Sequence, residues 1–486
     1  MLTRLVVRGF KNLDLDVRLG PFACIVGPNG VGKSNVFDAI AFLSALAGSS
    51  LLEAAHSVRG GAGRGGDLRG LFRRSGEGCA SEMSLAAEMI IPPTGEDQLG
   101  QIAEASITYL RYELQLQYDG AQALRLQGGL RVRQESLTHL NLSEARKLLG
   151  FKSQEEFRKS CLRGRRTTPY ISTTPDGQVL LHADAKGGKG GGMPRKLLAR
   201  DLPRTVLSSA ENAAEHRTAT LARREMLGWT QLHLEPSAMR APDDLSAPPF
   251  VAHNGAHLPA TLYRLARAPE VQGGEAALYA RVANRLSELV DPIRSVSVDV
   301  DERRQLLSIM ATDRRGTGHL ASSLSDGTLR FLALSILAEE TRPQPLLCME
   351  EPENGMHPSR VPAMLQLLED LAVNPGYAVS PGDNPLRQVI VNSHAPSVVR
   401  LVDDDTLLVA RTELDDAGAE VMRLHPLPGT WRTLGGSAAE CVTKGELLSY
   451  LSLTPPDADA PQSSPRRRVR DRRDLQPSLP YFDAAE

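Results

Sequence analysis

Gly27-Pro28-Asn29-Gly30-Val31-Gly32-Lys33-Ser34 decides how the rest of the chain is read. The stretch fits the pattern G-x-x-x-x-G-K-[ST] at every position. Phe22 to Val26 precede it and read as a buried strand. Val36, Ile40, Phe42, Leu43 and Leu46 follow at spacings that predict a largely buried helix from about Ser34 to Leu46. Strand, glycine loop and helix in that order cradle a phosphate. The glycines let backbone N–H groups wrap the anion, and the helix N-terminus adds a favourable partial charge. Lys33 is placed to neutralise the β- and γ-phosphates, and the Ser34 hydroxyl to bind Mg2+. Asn29, Gly30, Gly32 and Asn35 complete the loop. The ligands expected from it are ATP and Mg2+.

Two further apolar runs end in polar residues. Pro345-Leu-Leu-Cys-Met-Glu350-Glu351-Pro352-Glu353-Asn354 reads as a buried parallel strand that delivers two carboxylates at its C-terminal end, where α/β sheets place ligands. Glu350 is expected to hold Mg2+ through water, and Glu351 to polarise the attacking water as a general base. Gln388-Val-Ile-Val-Asn392-Ser393-His394 repeats the pattern, with His394 expected beside the γ-phosphate. Between these and the glycine loop stands Leu324-Ser325-Asp326-Gly327-Thr328.

The order of Gly27–Ser34, Leu324–Thr328, Glu350–Glu351 and His394 resembles the heads of ABC-type ATPases. The fuller strings resemble the RecF/OLD-like branch of AAA-labelled ATPases, which have SMC-like heads. These strings are Leu324-Ser-Asp-Gly-Thr-Leu-Arg-Phe-Leu-Ala-Leu, Glu350-Glu-Pro-Glu-Asn-Gly-Met-His-Pro and Arg4-Leu-Val-Val-Arg-Gly-Phe-Lys-Asn12. The resemblance covers about 1–90 and 225–410, with weaker echoes at Trp229 to Arg240 and Asn254 to Ala260. It implies an α/β fold: an ABC-type P-loop ATPase head, with a mixed sheet flanked by helices. It also implies that Ser325 and Gly327 contact the γ-phosphate of ATP held by a second subunit. Lys33, Glu351 and His394 are then the catalytic set, in a homodimer closed over ATP. Asn354 to His357 become the loop between the two sites, with His357 capping the turn before Pro358. Glu350 stands where transporters of this class carry Asp. The glutamine that reaches the metal in such heads is sought within 80–120, with Gln101, Gln115 and Gln117 as candidates. The nuclease domain of OLD-type relatives is not recognisable after His394; Asp403-Asp404-Asp405 reads as a loop before a strand.

Composition narrows the rest. The chain has 486 residues, 41% of them hydrophobic and 23% charged, with a net charge of -2. This suits a globular protein of several units and disfavours a wholly basic nucleic-acid binder. Five cysteines form no CxxC pair, and Cys24 and Cys348 read as buried hydrophobes, so a reducing cytoplasmic setting is expected. No run approaches the ~18 apolar residues of a membrane span. The expected organisation is 1–94 as the first half of the ATPase core and 95–270 as a largely helical insertion. The second half of the core follows at 271–450, and an Arg-rich disordered tail at 451–486. The insertion, with basic residues from Arg146 to Arg166, is where DNA or an effector would touch. Anti-phage defence or DNA repair is the setting the resemblance implies, with a separately encoded nuclease as the effector. The alternative is a nucleotide-dependent scaffold or sensor with little turnover that holds a nuclease or toxin.

Overall fold

The computed structural model describes residues 1–58, 68–75, 78–97, 99–120, 129–184, 195–269, 273–287, 293–340, 342, 344–416, 418–433 and 441–451. The glycine stretches at 60–66 and 187–192 and the tail with Arg466–Arg473 lie outside them.

The central sheet has six strands in the order Trp229–Leu232, Leu346–Glu350, Gln388–Ser393, Phe22–Val26, Leu407–Leu414 and Glu420–Pro426. The first five run parallel, and the last pairs antiparallel with Leu407–Leu414. Successive side chains of a strand point to opposite faces, so a sheet covered on both sides needs continuous apolar runs. Here Ala23, Ile25, Leu346, Cys348, Ile390 and Leu408 enter one core, while Phe22, Cys24, Val26, Leu347, Met349 and Val391 enter another. The first core holds the helix Lys33–Leu46 and one face of a second sheet; the other holds the helices Asp326–Ala338 and Val361–Leu371.

That second sheet is antiparallel and has eight strands. It runs from Arg195–Leu198 through Gln178–Leu181, Ile171–Thr173, Leu130–His139, Tyr109–Tyr118 and Glu82–Ile90 to Leu2–Arg8 and Asp14–Arg18. Buried Gln388 ties the two sheets. Its amide oxygen accepts from Leu2 N at 2.9 Å, and its amide nitrogen donates to Leu2 O and Gly20 O at 2.7 Å each. A smaller sheet of Asp243–Asp244, Leu306–Asp313 and Ile293–Asp301, with Gly318–Leu320 at its side, leads into the helix at Asp326.

The expectation of a largely helical insertion at 95–270 is corrected here. Long strands at Tyr109–Tyr118 and Leu130–His139 continue the N-terminal sheet, and three short ones extend it. Helices such as Arg217–Leu227 and Leu258–Arg267 share the segment rather than fill it. The chain also rejoins the central sheet at Trp229, well before 271. The alternation of Ile107 to Leu116 does read as a strand, and Tyr109–Tyr118 is one; from about 134 onward polar residues on one face of a half-exposed antiparallel strand dilute the alternation, and that stretch reads as helix for that reason.

Candidate functional site

The phosphate loop leaves the central strand at Gly27 and enters the helix at Lys33. Gly30 and Gly32 carry φ of 83° and 109°, the left-handed region that a side chain rarely adopts. Asn12 packs against Gly32: a Cβ there would sit 2.7 Å from its amide atoms. Asn12 donates to Val31 O at 3.0 Å and accepts from Asn35 Nδ2 at 2.7 Å, so it braces the loop from outside. Lys33 Nζ donates to Gly27 O and Pro28 O, both at 2.8 Å. Burial lowers the pKa of this ammonium, and the charges of Glu351, Glu353 and Glu350 pull it back up.

Beside the loop, the Ser34 hydroxyl donates to Glu350 Oε2 at 3.0 Å. Gln231 Nε2 donates to the other oxygen, Glu350 Oε1, at 2.8 Å. Ser34 comes from the loop helix, Glu350 from the end of its strand and Gln231 from the neighbouring strand Trp229–Leu232. Hydroxyl, carboxylate and carboxamide oxygens are the hard donors that Mg2+ takes, and it keeps waters for the remaining positions. These three residues would hold it, and the ion would supply charge neutralisation to phosphate oxygens.

Glu351 has φ of 44°, a strained conformation for a side-chain-bearing residue. Its N–H is held by Asn392 through both the backbone O and Oδ1, at 3.1 Å each. Its carboxylate is gripped from both sides: His394 Nδ1 lies 2.8 Å from Oε1, and Asn354 Nδ2 donates to Oε2 at 2.7 Å. The arrangement fixes one carboxylate at the C-terminal edge of the sheet, with an imidazole in contact. A carboxylate so fixed can take a proton from a water.

Ser325 caps the helix Asp326–Ala338, accepting from Thr328 N. Gly327 lies against the loop after Glu351, where a Cβ would stand 3.1 Å from Gly355 O. From the same helix Arg330 reaches Glu351 O at 3.4 Å. His357 accepts from Ser359 N ahead of Pro358, a cap on that turn. Among the described residues, neither Ser325 nor Gly327 bonds to the phosphate loop of its own chain.

The structure thus brings Lys33, Ser34, Glu350, Glu351 and His394 to one edge. The glutamine in contact with Glu350 is Gln231, outside the range 80–120; Gln115 and Gln117 lie on the antiparallel sheet instead. Sequence reasoning also passed over Asn12, Asn392 and Glu353. The signal for Gln231 is its place at the end of a short strand, Trp229-Thr-Gln-Leu, in a segment already similar to the family.

A phosphate loop, an acidic strand end and a histidine strand end, aligned on a mostly parallel sheet, define an ABC/AAA-type nucleotide-binding ATPase fold. The chain belongs to the AAA domain family described as "AAA domain, putative AbiEii toxin, Type IV TA system", whose profile matches residues 22–85 and 170–400. No curated protein matches the sequence. Among solved structures, it is similar to an SMC head bound to the C-winged helix domain of ScpA, at 14% identity and a TM-score of 0.45, over 88% of this chain and 98% of that one. It is also similar to the SMC head domain from Thermotoga maritima, at 12% identity and a TM-score of 0.36, over 88% and 98%. A third is an Smc head with an extended coiled coil bound to the C-terminal domain of ScpA from Pyrococcus furiosus, at 11% identity and a TM-score of 0.40, over 88% and 96%. No described helix is long and apolar enough to cross a membrane.

Proposed function

We propose that the protein is a Mg2+-dependent ATP hydrolase whose two copies close over two ATP molecules. The observation that carries this reading is the doubly held Glu351 carboxylate, between His394 and Asn354, beside the Ser34–Glu350 pair. Lys33 and the loop N–H groups bind the phosphates. Glu351 takes the proton of the attacking water, and His394 orients that carboxylate toward it. Ser325 and Gly327 of the second copy complete each site with the N-terminus of the helix at Asp326. Closure then requires nucleotide, and hydrolysis releases it.

The family description, which names a putative toxin of a type IV TA system, supports a toxin–antitoxin setting; anti-phage defence or DNA repair rests on the resemblance of the sequence strings alone. The closed dimer governs an effector, a separately encoded nuclease or toxin, or DNA itself. Turnover tests the enzymatic core. Glu351→Gln lowers kcat by about 10²-fold or more while ATP still binds. Turnover equal to the wild type in that variant removes Glu351 from the chemistry.

A further inference from the structure

A cavity of about 480 Å³ opens between two edge strands, Asp14–Arg18 of the antiparallel sheet and Glu420–Pro426 of the central one. The two run parallel from a bridge at Leu13 and Met422, so Arg18 and Pro426 share one end, where Leu408 pairs with Pro426. Among the described residues, none of the loop 27–34 lines it, and neither do Glu350, Glu351 and His394. Its carboxylates are already engaged. Asp14 lies 2.7 Å from Arg423, Asp16 accepts from Arg4 at 2.7 and 2.8 Å, and Glu413 lies 3.2 Å from Arg423 and 2.7 Å from His425 Nε2.

The Arg18 end carries two cations that lack such partners. Arg18 Nη1 donates to Lys147 O at 2.9 Å, Arg432 Nε donates to Arg18 O at 2.9 Å, and Arg432 Nη1 donates to Asp405 O. All three acceptors are backbone carbonyls. Among the described residues, neither guanidinium has a carboxylate in ion-pair contact. The Asp405 carboxylate accepts from Trp431 N at 3.1 Å instead. Arg432 Nη2 is buried with no hydrogen-bond partner among the described residues, and its guanidinium lies 4.2 Å from the centre of the Trp431 ring. Burial pulls the Arg432 pKa down to about 10, with only the Asp405 charge opposing. A desolvated cation without an anion is costly, and an anion brought to it relieves that cost. The helix Ala145–Leu149, whose Lys147 carbonyl meets Arg18, adds the exposed cations Arg146 and Lys147.

We propose that this end of the cavity binds the dianion of a phosphate monoester, gripped by Arg18 and Arg432. Arg432 Nη2 gains the acceptor it lacks, and the planar guanidinium forks match phosphate oxygens. Two uncompensated cations balance the charge of a phosphate monoester, whereas a single carboxylate leaves one of them unmatched. The cavity is larger than a phosphate, and its far end presents the ion pairs of Asp14, Glu413 and Arg423. Those groups suit the hydroxyls of a sugar and not a lipid tail. A sugar phosphate of this kind is either a free small molecule or the 5′ end of a nucleic-acid strand.

Calorimetric titration of the full chain with ribose 5-phosphate, acetate, and one oligonucleotide with and without a 5′-phosphate tests it. Ribose 5-phosphate binds the wild type and Lys33→Ala alike, roughly tenfold or more tightly than acetate does. Arg18→Gln and Arg432→Gln each weaken it by about tenfold, the worth of a lost charged hydrogen bond. Tighter binding of the 5′-phosphorylated oligonucleotide than of its 5′-hydroxyl form, lost in Arg18→Gln, identifies a strand end as the source. Equal binding of the two oligonucleotides, with ribose 5-phosphate still bound, identifies the free sugar phosphate. Acetate binding the wild type as tightly as ribose 5-phosphate overturns the site without needing any variant to fold. Unchanged ribose 5-phosphate affinity in Arg18→Gln overturns it as well. Loss of that affinity in Lys33→Ala places the phosphate at the loop and overturns the second site, while leaving the phosphate-loop reading in place.

Discussion

Replacing Glu353 separates positioning from chemistry at the acidic strand end. Its Oε1 accepts the Ser393 hydroxyl, and its Oε2 is buried with no hydrogen-bond partner among the described residues. Ser393 Oγ in turn accepts from Ala395 N at 3.0 Å, so Glu353 fixes the residues on either side of His394. Burial raises its pKa, and the Glu351 charge adds to that. A carboxyl whose folded pKa lies above its unfolded one contributes stability that is present at low pH and lost as pH rises through the folded value. Glu353→Ala strands the Ser393 donor and opens a cavity, costing about 2–4 kcal/mol of folding stability. Glu353→Gln keeps the volume and an acceptor, and costs about 1–2 kcal/mol. Loosening the His394 segment by about 1 kcal/mol lowers kcat roughly fivefold. Urea unfolding at several pH values, with steady-state ATP turnover alongside, measures both effects. The Gln variant should stay folded, bind ATP normally, turn over several-fold slower and show a flatter pH dependence of stability. A folded Glu353 variant with wild-type kcat would refute the positioning role, as would one altered in KM alone.

Glu135 makes a second pH-dependent prediction, away from the site. It is fully buried, accepts from Val206 N, Leu207 N and Tyr112 OH, and burial pushes its pKa up from 4.5 to about 7. Stability should fall by about 1.4 kcal/mol per pH unit between those two values and then level off. Glu135→Gln should remove that slope in denaturant titrations, and parallel slopes in the two proteins would contradict the assignment. Gly32→Ala should strain the loop by about 1–2 kcal/mol and push Asn12 off Asn35. Nucleotide affinity, read by titration, should fall at least several-fold, and unchanged affinity would show that Asn12 does not brace the loop.

The central strands, the loop and its helix were legible because each is a continuous apolar run or an exact pattern match. Phe22–Val26, Leu346–Glu350 and Gln388–Ser393 sit where their sequences place them. What escaped depended on long-range pairing. Gln231 meets Glu350 only because Trp229–Leu232 pairs in register with Leu346–Met349, more than a hundred residues away. Leu130–His139 carries Arg131, Arg133, Gln134 and Glu135, too polar to announce a strand, and its partners are two neighbouring strands rather than a helix layer.

Complementation between two inactive variants tests the shared site most directly. Lys33→Ala disables the phosphate loop, and Ser325→Arg disables the surface offered to the partner. In a symmetric dimer with composite sites, each mixed dimer regains one intact site. Turnover in an equal mixture should therefore rise from near zero for either variant alone to roughly a quarter of the wild type, for random pairing of subunits. A mixture no more active than its parts, with both variants folded and able to associate, would contradict a site built from Lys33 of one copy and Ser325 of the other.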